Sequence, residues 1–280
     1  MTGELDQANK YIESFASLLF EPERQSLEQV SRPLNLKVGV DLGTCNVCMC
    51  VLDENNTPVA GDIFSAAVVR DGLVVNYFGA VEIVKKMKKR LEGRLGVSLA
   101  TSSAAVPPGT VGRNAMAVVN VIRSADMDVT RVVDEPTAAA AVLNIQDGAV
   151  VDVGGGTTGI SVLRDGKVEY TNDEPTGGTH MTLVIAGHYR ITTDEAEKIK
   201  LDAGNQKQIF PIVKPVIEKM ASIVNRHIAG RNVKKIYLVG GASAIDGFED
   251  VFQKETGILC LKSAHPLLVT PLGIAISNSV

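Results

Sequence analysis

Asp152-Val-Gly-Gly-Gly-Thr-Thr158 sets an acid at the end of an apolar run, three glycines after it and two hydroxyls behind them. Glycine lets backbone N–H groups approach an anion with no Cβ in the way, and threonine adds a hydroxyl donor, so the pattern suits a phosphate. Gly154-x-Gly156-x-x-Gly159 also spells the dinucleotide-binding fingerprint, but that device needs a helix after the glycines. Instead the chain continues with an apolar run, Ile160 to Leu163, and then Asp165-Gly166 between two extended stretches, which predicts a β-hairpin. The glycine stretch therefore reads as strand, tight turn, strand.

The same order occurs earlier: Val38-Gly-Val-Asp41, then Gly43, Thr44, Cys45 and Asn46, then an apolar run to Leu52. Two copies predict two equivalent halves, each aiming a phosphate-binding hairpin at a shared cleft.

Other elements must position these turns. Leu5, Ala8, Ile12, Phe15 and Leu19 recur at helical spacing and predict an amphipathic helix. Its plain reading is packing on its own domain; its sharper one is docking on a partner through residues 4–20. A second short helix is expected after Pro22, with Leu27 and Val30 inward. Ile63 to Val69 and Leu73 to Phe78 read as extended runs about a turn at Asp71-Gly72. Val81 to Leu95 reads as a helix with Lys85, Lys86, Lys88, Lys89 and Arg90 on a solvated face.

A strand over 98–106, a helix from about Val111 and a strand over 129–133 lead to Asp134-Glu-Pro-Thr-Ala-Ala-Ala-Ala. Here Glu135 opens an alanine-dense helix that permits close packing, and Thr137 is the expected cap. In the second half Gly177-Gly178 precedes a helix over 179–188. Thr192 to Glu195 is a capping box, and Gly204 suits the end of the helix it starts. Pro211 and Pro215 are expected to precede a helix buried through Val216, Met220, Ile223, Val224 and Ile228. A strand over 235–239, a turn at Gly240-Gly241-Ala242-Ser243 and a helix over 247–256 complete the pattern.

A chain of 280 residues with 45% hydrophobic content has room for two modest α/β cores. A net charge of −4, no tryptophan and few aromatics argue against a nucleic-acid partner. The acidic N-terminus lacks an apolar leader core and no uncharged run suits a membrane span, so a cytoplasmic protein with no membrane partner is expected. Cys45-x-x-Cys48 has no second pair, and with Cys50 and Cys260 is read as reduced thiols packed as small hydrophobes. The four histidines show no ligand spacing, and no P-loop pattern occurs.

Asp41-Leu-Gly-Thr44, Glu135-Pro-Thr-Ala-Ala-Ala140, Asp152-Val-Gly-Gly-Gly-Thr157, Ala196-Glu-Lys-Ile-Lys200 and Leu238-Val-Gly-Gly-Ala242 stand in that order. They resemble the phosphate-1, connect-1, phosphate-2, ribose/base and adenosine motifs of the actin–Hsp70–sugar kinase superfamily, over about residues 37 to 280. Within it, the length, the N-terminal extension and Gly178-Thr-His-Met181 are similar to the chaperone-like ethanolamine-utilization proteins of bacterial microcompartments.

The resemblance implies a two-lobed, actin-like (ribonuclease H-like) α/β ATPase fold with reduced small subdomains. The expected parts are a helical extension over 1–34, a first lobe over 35–145 and a second over 146–280, with the C-terminal helix packing back on the first. ATP or ADP with Mg²⁺ is the implied ligand. Asp41 and Asp152 would orient the water shell of the metal, and Glu135 the attacking water. Gly43, Thr44, Cys45 and Asn46 would meet the phosphates from one side, and Gly154, Gly155, Gly156, Thr157 and Thr158 from the other. Glu197 and Lys200 would touch ribose and adenine, and Gly177, Gly178, Gly240, Gly241 and Ala242 would lie against the nucleotide.

Three departures temper that implication. Cys45 stands where a hydroxyl is common, the superfamily's catalytic lysine does not align with Lys85 or Lys86, and the gap from Lys200 to Pro215 is short. Binding is therefore expected to be more secure than hydrolysis. The reading is a weak ATPase acting as a nucleotide-switched chaperone, or as an assembly or reactivation factor for ethanolamine-utilization enzymes or shell. The alternatives are a pseudo-ATPase scaffold that binds partners without nucleotide, an actin-like filament protein and a sugar kinase.

Overall fold

The computed structural model describes residues 3–19, 35–70, 72–110 and 112–278. The helix expected after Pro22 lies outside them. The chain divides into two compact units, Met1–Asn144 with Leu268–Val280, and Ile145–Leu267.

The first unit runs α1 (Asp6–Ala16), β1 (Lys37–Leu42), β2 (Asn46–Leu52), β3 (Pro58–Ser65), β4 (Val69–Arg70), β5 (Leu73–Val74), α2 (Tyr77–Leu95), β6 (Thr101–Val106), α3 (Arg113–Ser124), β7 (Asp128–Asp134) and α4 (Glu135–Leu143). Its main sheet has the order β3-β2-β1-β6-β7. Val38 and Val40 of β1 and Val47, Met49 and Val51 of β2 alternate onto one face and meet Val84, Met87 and Leu91 of α2 and Ile122 of α3. The extended run expected through Phe78 stops early: Tyr77 and Phe78 belong to α2, because Asn76 caps it by accepting from the Gly79 amide at 2.9 Å. The basic face of α2 is also not wholly solvated, since Arg90 reaches across to the buried Asp62 of β3 at 2.5 Å. Asp134, not Thr137, caps α4, accepting from the Thr137 amide at 3.0 Å.

The amphipathic helix α1 packs on its own unit. Ile12 and Phe15 are fully buried, and the Phe15 ring occupies the space where a β-carbon on Gly61 of β3 would stand. Tyr11 and Arg94 add polar anchors, at 2.6 Å to the Asn56 carbonyl and 2.6 Å to the Leu18 carbonyl respectively. Leu5, Ile12 and Phe15 of the apolar stripe are thus buried on their own unit, with β3 among the surfaces they cover.

The second unit runs β8 (Gly148–Val153), β9 (Thr158–Arg164), β10 (Lys167–Glu174), α5 (Gly178–Tyr189), α6 (Thr193–Leu201), α7 (Gln206–Ile228), β11 (Lys235–Val239), α8 (Phe248–Thr256) and β12 (Leu259–Lys262). Its sheet, β10-β9-β8-β11-β12, repeats the order of the first. Asp165 and Gly166 both take positive φ and close the predicted hairpin. The capping box at Thr192 and Glu195 forms, but α6 ends at Leu201, ahead of Gly204.

Helix α7 begins nine residues before Pro215 and runs through both prolines. Each proline deletes one helical hydrogen bond, to the carbonyl four residues back. Both are exposed, so those carbonyls can turn to water. The buried stripe extends upstream through Ile209, Val213 and Ile217, and that burial outweighs the lost bonds.

The last helix, α9 (Val269–Ile276), returns to the first unit and packs on β1 and α4. A β-carbon on Gly39 would collide with the Ala275 amide, and one on Gly273 with the Ala138 carbonyl. The small residues of α4 allow that approach. Among the described residues no helix is long and apolar enough to cross a membrane.

Candidate nucleotide site

Four motifs that are far apart in sequence meet in the second unit. The β8–β9 turn is pinned by the Gly154 amide donating to the Thr157 carbonyl at 2.9 Å. The Gly154 and Gly155 carbonyls then accept from Gly178 and Thr179, the first amides of α5, at 2.9 and 2.8 Å. This contact demands glycine: a β-carbon on Gly177 would lie 2.6 and 2.7 Å from those two carbonyl oxygens. The bonds that set the turn use none of the amides of Gly155, Gly156 and Thr157, which are the groups a phosphate would need.

Gly178 is the meeting point. A β-carbon there would stand 3.1 Å from Ala242 Cβ and 3.3 Å from Lys200 Nζ. Behind it Lys200, only 7% exposed, gives its three protons to the Gly178 carbonyl at 3.2 Å, Thr182 Oγ1 at 2.9 Å and Glu197 Oε2 at 2.8 Å. An ammonium has three donors, so Lys200 is fully employed in holding α6 to the start of α5. Glu197 is the partner that permits this buried charge.

The adenosine-type turn closes on the same strand end. Gly240 has φ of 85°, and a β-carbon on it would collide with Asp152 Oδ1. Its amide donates to the Pro266 carbonyl at 3.0 Å, and Ser243 Oγ ties the turn back to the Gly240 carbonyl at 2.8 Å. Asp152 is 6% exposed. Thr158 faces inward, donating to the Thr176 carbonyl at 2.7 Å, so that proton is not offered to a phosphate.

Asp41, Gly43, Thr44, Cys45, Asn46 and Glu135 fall in the first unit. The β1–β2 turn is built like its counterpart: Gly43 donates to the Asn46 carbonyl at 2.9 Å, and Asp41 pairs with Cys48 as Asp152 pairs with Gly159. Residue for residue, Cys45 corresponds to Gly156 and Asn46 to Thr157. Glu135 is the first residue of α4, half-buried, beyond the carboxyl end of β7. Among the described residues the cysteines form no disulfide. Burial pushes the Cys48 and Cys50 thiols well above their ordinary range, and Cys45 alone is partly open to solvent.

Sequence reasoning passed over Asp173 and Thr182. The acid of Asp173 is pushed up to about 6, chiefly by burial and then by Asp152 and Glu174. Counting back from the Asp165-Gly166 turn places Asn172, not Asp173, opposite Gly159; a bulge between Val168 and Tyr170 shifts the register by one.

Over 244 residues the chain is 45% identical to the ethanolamine utilization protein EutJ of Escherichia coli K12, covering 87% of this chain and 86% of that one. The chain belongs to the EutJ family of ethanolamine utilization proteins. The crystal structure of EutJ from Carboxydothermus hydrogenoformans superposes with a TM-score of 0.88 at 46% identity, over 96% of this chain and 98% of that one. Residues 144–265, the part that holds the Gly178 cluster, also match the family described as type IV pilus assembly protein PilM. MreB5 of Spiroplasma citri bound to ADP has a TM-score of 0.69 at 17% identity over 86% of this chain and 95% of its own, a likeness of fold. This chain thus has the actin-like α/β fold.

Proposed function

We propose that this EutJ-family chain is an ATP·Mg²⁺-binding protein with weak ATPase activity. In this reading it acts as a chaperone-like assembly or reactivation factor for ethanolamine-utilization enzymes or their microcompartment shell. The observation that carries the nucleotide part is the convergence at Gly178 of the glycine turn, the Glu197–Lys200 helix and the Gly240–Ala242 turn. At Gly178 a β-carbon would press on Ala242 and Lys200, and at Gly177 it would collide with the Gly154 and Gly155 carbonyls, so this junction is lined by backbone.

The residues present fit a magnesium nucleotide. Asp152 is a buried carboxylate at a strand end, suited to metal-bound water, and the Gly155–Thr157 amides suit phosphate oxygens. Magnesium, when bound, supplies charge neutralisation. The chain's own part is to hold the phosphates with amides and keep the turn fixed through α5. The first unit's Asp41 turn and Glu135 are assigned the metal-water and attacking-water roles that the superfamily motifs imply. With Leu5, Ile12 and Phe15 buried, α1 would meet a partner through outward residues such as Asp6, Lys10 and Glu13. A cytoplasmic, microcompartment-associated site of action is inferred from the family.

One observation favours a second reading, a scaffold that binds partners without nucleotide: the protons of Lys200 and Thr158 are already committed within the protein. A thermal-shift titration with ATP·Mg²⁺ decides between them. Wild type is expected to gain about 2–3 kcal/mol of apparent stability near 100 times Kd, and Asp152→Ala to gain little. A shift in neither protein selects the scaffold.

A further inference from the structure

Helices α7 and α8 of the second unit border a cavity of about 520 Å³. Phe210, Pro211 and Val251 supply its apolar lining, and Lys207, Lys214 and Lys254 stand among its walls. The walls are tied together where the Asp246 amide donates to Gln206 Oε1 at 2.9 Å. Gly247 brings the start of α8 onto the Phe210 ring, since a β-carbon there would lie 3.3 Å from it. No residue of the Gly178 junction lines this cavity.

The backbone of the α7 wall carries the argument. Pro211 and Pro215 have no N–H, so the carbonyls four residues before them, those of Lys207 and Pro211, lose their helical donors. Both carbonyls belong to residues that line the cavity. Four residues of helix advance about 6 Å along the axis. An extended peptide presents every second amide along one edge, about 6.6 Å apart. A segment laid along α7 in that form can therefore donate to both carbonyls, much as an added strand donates to a sheet edge. The side chains it turns inward need apolar surface, which Phe210, Pro211 and Val251 offer. Charge selects the rest. Lys214 is paired with Glu218 at 3.6 Å, but Lys207 and Lys254 have no carboxylate partner among the described residues. Asp246 and Asp250, the cavity's own acids, stand at the start of α8, where the helix N-terminus stabilises them. We propose that this groove binds an extended apolar and acidic peptide segment of a partner protein, its amides on the Lys207 and Pro211 carbonyls and its acids on Lys207 and Lys254. The site rests on the partner-binding part of the proposed function and is independent of the nucleotide part.

The test is fluorescence anisotropy of the full chain with a fluorescein-labelled hexapeptide of alternating leucine and aspartate, against one of alternating leucine and lysine. The acidic peptide is expected to bind at least about tenfold more tightly. Pro215 does not line the cavity, and Pro215→Ala returns an N–H to the Pro211 carbonyl. That variant should raise the urea midpoint yet weaken the acidic peptide about three- to tenfold, the worth of one hydrogen bond. Lys207→Glu should weaken it about as much, whereas Lys89→Glu on the exposed face of α2 should leave it unchanged. Equal binding of the two peptides, no binding of the acidic one, or Lys89→Glu acting as strongly as Lys207→Glu overturns the proposal. An affinity unmoved in a folded Pro215→Ala overturns the backbone contact on which it stands. Selective peptide binding by a wild type that shows no thermal shift with ATP·Mg²⁺ supports this site while overturning the nucleotide reading.

Discussion

At the scale of single residues, the groups that show in the sequence are those whose work is local. Asp41, Gly43, Asp152 and Gly154 sit beside tight turns, and turn chemistry is written in neighbouring residues. Lys200 and Glu197 were visible as a helical pair, but their geometry is a buried network with Thr182, which depends on α5 coming to rest against α6. Asp173 was hidden because the bulge in β10 rephases the strand, and a shift of one residue turns every side chain to the other face. Its acid is raised from the ordinary carboxylate value to about 6. The folded protein therefore keeps that proton up to about pH 6, whereas the unfolded chain releases it near pH 4. Between those values the folded state binds more protons, so stability falls as pH rises; the penalty is absent below about pH 4 and complete above about pH 6. Urea midpoints measured in EDTA should fall between pH 4.5 and 7 by more in wild type than in Asp173→Asn. Equal slopes would show that Asp173 titrates normally.

At the scale of elements, hydrophobic spacing was a better guide than punctuation. It gave α1 its true burial, whereas prolines suggested a late start for α7 and an extended pattern masked the first turn of α2. The reason is energetic: a proline costs a helix about 3 kcal/mol, and a stripe of several buried aliphatic side chains outweighs that. What spacing could not say was which surface α1 covers. Phe15 lying on Gly61 answers that, and makes a prediction. Truncating a buried phenylalanine costs about 3–5 kcal/mol, more than a helix of three turns holds in reserve. In Phe15→Ala, α1 should detach and become cleavable within residues 3–19 under limited proteolysis, while β1 to β3 stay protected. An α1 that remains resistant would mean that Tyr11 and Arg94, through their 2.6 Å carbonyl bonds, hold it without the ring.

At the scale of the whole molecule, the two sheets repeat one strand order and one hairpin register, and the repeat was legible because both turns announce it. The return of α9 to the first unit was expected only from the superfamily resemblance, since a helix of apolar and small residues fits many surfaces. Its seat is specified by backbone contact: Gly39 and Gly273 each exclude a Cβ, against Ala275 and Ala138 respectively. Asn278 adds a bond to the Val38 carbonyl at 3.3 Å and accepts from Thr130 at 2.6 Å. The first unit therefore finishes its core with residues made after the whole of the second. Gly273→Ala places a methyl inside the Ala138 carbonyl, and overpacking of this kind costs about 1–3 kcal/mol. Hydrogen exchange read by mass spectrometry should then show faster exchange in β1, β2 and α4, with β8, β9 and β11 unchanged. Faster exchange throughout both units would mean that α9 stabilises the chain as one cooperative body, and unchanged exchange that α4 yields to the methyl.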